Sequence, residues 1–190
     1  TAIAQQEPTY SGGSGTKEDP WIIATAEDLN AMAVRSDRSG KMYASFSNKY
    51  FKQTADIDMK DYPEFKGICY LDKKSVCRKQ TGFYGHYDGD GHVISNMTIN
   101  LPKNSCVGLF SEVTQAGSVH DVHLDSSCKI VGKCQVGGIV GMIFGGANDA
   151  TASVWNCTSG ASVHGTYMCG GIVGDIRCNS PTIQTVNLSV

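Results

Sequence analysis

Asp88-Gly89-Asp90-Gly91-His92 is the stretch of this chain whose residue types come nearest to a ligand set. Carboxylates alternating with glycine suit a calcium loop, but an EF-hand needs further oxygen ligands and a Glu at its twelfth position, which here is Ile99. The glycines instead predict a tight turn, because glycine supplies positive φ without a steric penalty. His120 and His123 are three apart on a predicted strand, hence on opposite faces unless the chain bends between them. With no His-Glu-x-x-His and no close pair of Cys-x-x-Cys motifs, no metal site is expected. Asp56 and Asp58 share a strand face and have the spacing of an acid/base pair, yet they lie in what reads as a repeat strand. Ser, His and Asp are plentiful, but no Gly-x-Ser-x-Gly elbow occurs. The expectation is a chain with no catalytic residues and no cofactor.

These residues hang on a repeated frame. Val107-Gly108-Leu109-Phe110 returns as Gly137-Gly138-Ile139-Val140-Gly141 and as Gly170-Gly171-Ile172-Val173-Gly174. A second phrase puts an apolar residue two positions before Asn, Asp or Thr. It occurs at Ile94-Ser95-Asn96, Val119-His120-Asp121, Val154-Trp155-Asn156 and Ile183-Gln184-Thr185, at spacings of 25, 35 and 29 residues. Self-similarity at roughly 20–50 residues marks a stacked array. The phrases fit strands bent once at the polar residue, so the unit is one coil of a parallel β-helix. Stacked coils lie about 4.8 Å apart, with like residues above like. Ile94, Val119, Val154 and Ile183 are expected in one inward ladder, and Met97, Val122, Cys157 and Val186 in another. Asn96, Asp121 and Asn156 are expected at a corner, where Asx residues tolerate left-handed backbone. The glycine phrases fit no phosphate-binding fingerprint.

The Gly-Leu-Phe and Gly-Ile-Val-Gly phrases resemble the GLUG repeat of bacterial surface proteins. Phe83-Tyr84-Gly85-His86-Tyr87-Asp88-Gly89-Asp90-Gly91-His92-Val93-Ile94 is similar to that family's recurring opening segment. The resemblance runs from about Gly12 to the C-terminus, is poorer between Tyr62 and Thr81, and departs at Ser111, where a glycine is usual. It implies a right-handed parallel β-helix on a secreted or surface-displayed protein, often an adhesin, and no conserved catalytic residues.

The chain has 190 residues, eight cysteines, 22 glycines and a formal charge of −2. That length allows one domain with a substantial core. The charge balance argues against nucleic acid as a partner, and no apolar run is long enough for membrane insertion. The cysteines suit an oxidising, exported setting. Residues 1–19 read as a leader or linker and 20–190 as a single all-β solenoid, either whole or a segment of a longer protein. Thr25 with Asp28 forms a capping-box pattern, and Leu29, Met32 and Ala33 make an apolar stripe. A helix over 26–35 is therefore expected to cap the first coil. Residues 61–80 match the repeat least and read as an inserted loop, closed by a disulfide between Cys69 and Cys77. Eight cysteines allow 105 complete pairings, so spacing leaves the remaining connectivity open. Asn96, Asn156 and Asn187 begin Asn-x-Ser/Thr sequons.

Ligand contacts are expected where the repeat breaks, at Tyr62, Tyr70, Lys73, Lys74 and Arg78, and at the neighbouring Tyr84, His86 and Tyr87. Aromatic faces there stack on sugar rings while the bases bond polar groups. The expected function is adhesion or ligand binding, to glycans or to a host or cell-surface protein. The rival is a polysaccharide lyase or hydrolase, which rests on fold analogy alone. A purely structural spacer is a third reading.

Overall fold

The computed structural model describes residues 9–36, 46–71, 82–114, 116–145 and 151–178. One sheet sets five strands side by side, in the order Trp21–Ile23, Tyr50–Gln53, His86–Asp88, Ser118–His120 and Ser153–Trp155. A four-stranded sheet holds Ile57–Asp58, Val93–Ser95, His123–Leu124 and Thr158–Ser159. Three-stranded sheets follow along each coil, led by Thr98–Asn100, Ser105–Val107 and Phe110–Thr114. Among the described residues every pairing between these strands is parallel, and paired residues are 29 to 37 apart in sequence. A parallel sheet whose neighbours are one repeat apart is a wound coil, so the chain is the parallel β-helix that its repeats predict.

The register agrees with the expected ladders in part. Val119 pairs with Val154, and Val122 and Cys157 are both buried one corner further on. Ile94, however, pairs with Leu124 and Ile57, while the residue beneath Val119 is Tyr87. Asp121 does meet Asn156, through a side-chain hydrogen bond, but Asn96 bonds Asp58 and the Ser127 hydroxyl instead. The apolar-x-Asx phrase occurs at two different corners of the coil. Asn96 marks one of them and Asp121 and Asn156 the other, which is why the first spacing of 25 was short. Ile183 and Val186 lie outside the described residues.

Inside the coil the ladder Trp21, Phe51, Tyr87, Val119, Val154 changes from aromatic to aliphatic along the axis. The aromatic end is a connected cluster: Phe51 packs against Trp21 and Phe83, and Phe110 against Phe83 and Tyr87, at centroid separations of 5.0–5.9 Å. Tyr87 is wholly buried, and its hydroxyl donates to Gln53 Oε1 at 3.3 Å, so the one polar atom it brings inside is satisfied.

Asn96, Asp121 and Asn156 adopt φ of 55°, 55° and 49°, as expected for Asx corners. A second left-handed column carries Cys106, Gln135 and Met168 at φ 53°, 54° and 53°, with Cys69 at 54°. None of those types favours this region, which costs roughly 1–2 kcal/mol per residue. Their recurrence one coil apart shows that the winding of the coil imposes it. The turn at Asp88–His92 is tight, with Asp90 and Gly91 at φ 50° and 78° and the His92 N–H donating to Gly89 O.

Three boundaries differ from expectation. The helix spans Ala26–Ala31, with the capping box formed, and Leu29 and Met32 are buried in the main core at the first coil. It stops early because Arg35–Ser36 is a strand paired with Tyr70–Leu71. Residues 9–19 are not a loose leader: Ser11 and Gly12 exchange backbone hydrogen bonds with Ile22, and the Ser11 hydroxyl donates to Asp28. Residues 61–71 are not a projecting insertion either, since Phe65, Ile68 and Leu71 are buried and Ile68 bridges to Phe110. Residues 72–80 lie outside the described residues.

The expected Cys69–Cys77 bridge is not formed. Cys69 is a free, buried thiol, held there by its place in the left-handed column, and Cys77 lies outside the described residues. Cys106, by contrast, is disulfide-bonded. Burial pushes the Cys69 thiol far above its ordinary pKa and that of Cys157 up to about 11. Thiolates are the reactive form. A thiol-specific reagent at neutral pH should therefore label the exposed Cys169 first, and Cys69 only on unfolding. Mass-mapped labelling that reached Cys69 as fast as Cys169 would contradict this burial.

Candidate functional site

Side chains on a strand alternate, so the five-stranded sheet that sends Trp21, Phe51, Tyr87, Val119 and Val154 inward must send their neighbours out. Two outward columns result. One runs Tyr50, His86, Ser118, Ser153, and the other Ile22, Lys52, Asp88, His120, Trp155. Each column steps about 4.8 Å per coil, close enough for rings to stack and hydroxyls to bond.

They do both. The Tyr50 ring stacks on His86 at 4.4 Å, and His86 Nδ1 is 2.8 Å from the Ser118 hydroxyl. His120 stacks on Trp155 at 4.3 Å and 15°, and Trp155 keeps 39% of its surface exposed. Lys52 reaches Asp90 at 3.1 Å. A cavity of about 540 Å³ lies over this face, with Tyr50, Lys52, His86, Asp88, Ser118 and His120 on its floor and Lys17 and Pro20 at its edge. Burial first, then repulsion from His120 and Lys17, holds His86 below the usual imidazole range, so it is neutral at pH 7.

Of the described residues expected to touch ligand, only His86 lines this cavity. Tyr87 is its inward neighbour and is sealed in the core, because adjacent strand positions face opposite ways. Tyr62 is half-buried against the core, and Tyr70 sits under Lys66, whose Nζ is 5.4 Å from the ring centroid. Tyr84 is half-buried. Lys73, Lys74 and Arg78 lie outside the described residues. Asp56 and Asp58 form no joint acid/base site. Asp56 accepts from the Val93 N–H and from His92, and Asp58 from Asn96 and the Lys60 N–H. Those hydrogen bonds hold both carboxyls below the usual range.

Tyr50, Lys52, Ser118 and His120 were missed. The signal was present: each is an immediate neighbour of an inward residue, and a ladder of inward residues fixes a ladder of outward ones. Asp88 and His120 are 32 apart in sequence, yet they are direct partners across the strand pair. The bend expected between His120 and His123 is Asp121, which leaves His123 beside the Thr158 hydroxyl, around the corner from the cavity.

No protein-family model matches the chain. It is 32% identical over 171 residues to Halomucin of Haloquadratum walsbyi, covering 88% of this chain and 2% of that protein. It is 24% identical over 199 residues to a provisionally named Gly-rich membrane protein of Evansella cellulosilytica, covering 91% of this chain and 22% of that one. The chain thus spans a small fraction of either relative. Among solved structures it resembles a provisionally assigned immunoglobulin A1 protease from Bacteroides ovatus. The TM-score is 0.50 at 18% identity, over 89% of this chain and 66% of that one, a likeness of fold. No helix among the described residues is long and apolar enough to cross a membrane.

Proposed function

We propose that this chain is a non-catalytic, ligand-binding β-helix segment of a longer secreted or cell-surface protein, with glycans as the ligand class. The observation that carries the reading is the cavity on the outer face of the five-stranded sheet. Its floor offers ring faces from Tyr50 and His86 beside the polar ends of Lys52, Asp88 and Ser118, the mixture that suits a sugar's apolar faces and hydroxyls. The names of the two relatives support a surface setting, one a halomucin and the other a membrane protein. Absence of catalysis is favoured by the backbone of this face, whose N–H groups are committed to the parallel ladder and so do not serve as oxyanion donors.

One contact favours a second reading. Ser118 beside a neutral His86 has the geometry of a nucleophile and its base, so a hydrolase acting on the same ligands is the alternative. A single experiment separates them. Glycan-array binding followed by titration should show Tyr50→Ala and His86→Ala weakening the best ligand by up to about tenfold, the worth of one ring contact. Unchanged binding in both variants would reject the cavity as the contact surface. Release of new chain ends by the parent protein, lost in Ser118→Ala, would replace binding by hydrolysis.

A further inference from the structure

Where the column of Asp88 and His120 borders the corner residue Asp121, three ligand-type side chains meet. His120 Nδ1 lies 2.6 Å from Asp121 Oδ2 and 3.5 Å from Asp88 Oδ1, and one donor atom from each residue falls within 4.8 Å of the others. We propose that Asp88, His120 and Asp121 form a binding site for a divalent transition-metal ion of the zinc class, at the rim of the cavity. This goes beyond the glycan reading and does not depend on it.

Four observations carry it. Separations near 3.3 Å are what tetrahedral zinc imposes on donors about 2.0–2.1 Å from the ion, so small rotations of the Asp88 and Asp121 carboxylates complete the set. The imidazole distinguishes this group from a patch of surface acids, and it selects zinc-like ions over calcium or magnesium, which prefer all-oxygen shells. Each donor is also held by a further partner. Trp155 stacks on the His120 ring, Asn156 Nδ2 donates to Asp121 Oδ1 and leaves Oδ2 turned to His120, and the Asp90 N–H donates to Asp88 Oδ1 at 2.8 Å. Metal sites need outer contacts of this kind to aim their ligands. Finally, all three residues are only partly covered, and Asp88 and His120 line the cavity, so an ion there keeps open positions facing it. Those positions suit hydroxyl or carboxylate oxygens of whatever enters.

The test uses the whole chain, stripped with chelator, with exposed thiols blocked by alkylation. Titration with ZnCl2 in a calorimeter is expected to give one saturable site, with calcium and magnesium failing to compete. His120→Ala should abolish uptake, and Asn156→Ala, which removes only an orienting contact, should weaken it about 10–100-fold. Circular dichroism checks each fold, and Asp88→Asn replaces His120→Ala if that variant is unfolded. Cobalt in place of zinc should show absorption of nitrogen and oxygen ligation. No saturable uptake, uptake unchanged in His120→Ala and Asp88→Asn, or a thiolate cobalt spectrum would each overturn the site. All are read without glycan, so such a failure leaves the function proposed above untouched.

Discussion

Val122→Asp is expected to cost about 4 kcal/mol or more of stability, a large share of the roughly 5–15 kcal/mol that holds a typical domain folded. Val122 has no exposed surface, and its carbonyl accepts from the Thr158 N–H of the next coil, so coil lies directly over it. A carboxylate there is either ionised without a partner or protonated at a penalty, and both states favour unfolding. Val122→Ala serves as the size control, with an expected loss of about 2 kcal/mol from the vacated volume. Denaturant titration of the three proteins decides the matter. A midpoint for Val122→Asp equal to that of the alanine variant would mean that this side chain does not point inward.

The second large effect belongs to Gly141. A Cβ there would lie 2.5 Å from Val107 N, 2.6 Å from the Cys106 carbonyl carbon and 2.7 Å from Ser111 O, all of them backbone atoms of the coil beneath or of the preceding turn. Backbone cannot swing aside as a side chain can, so Gly141→Ala must push two coils apart. Overpacking of this sort costs about 3 kcal/mol, or roughly 6–12 °C in Tm for a chain of this size. Gly171→Ala is the control. It belongs to the same repeated phrase, yet among the described residues no atom beyond its chain neighbours lies within 4 Å of its added Cβ, and it should melt with the parent. Equal melting of all three proteins would show that the coils do not approach closely at Gly141.

The glycine phrases were legible because they recur with only small departures, as at Ser111, and a fold built by stacking must repeat wherever two coils touch. The corners at Asp121 and Asn156 were legible for a local reason, since Asx side chains accommodate left-handed backbone by themselves. Cys106, Gln135 and Met168 occupy the same backbone region with no such preference, so nothing local announces them. There the tertiary winding overrides propensity. Tyr87 misled for a related reason: an aromatic in a polar, glycine-rich run reads as exposed, but alternation from His86 sends it inward. The candidate site was hardest to read, because its members are spread over three coils and become neighbours only once the register is right. An error of one corner in that register, as at Ile94, hides the pairing of Asp88 with His120.

The regular step of the outward columns has a consequence for how such a surface can vary. One coil contributes one residue to each column, about 4.8 Å above the last, so position in the sequence translates into height along an axis. The columns act as the divisions of a graduated rule. His86 and His120 stand one division apart on neighbouring columns, so each sets a mark at its own height. A further coil of like sequence would lengthen the scale by one division and leave every lower reading where it was.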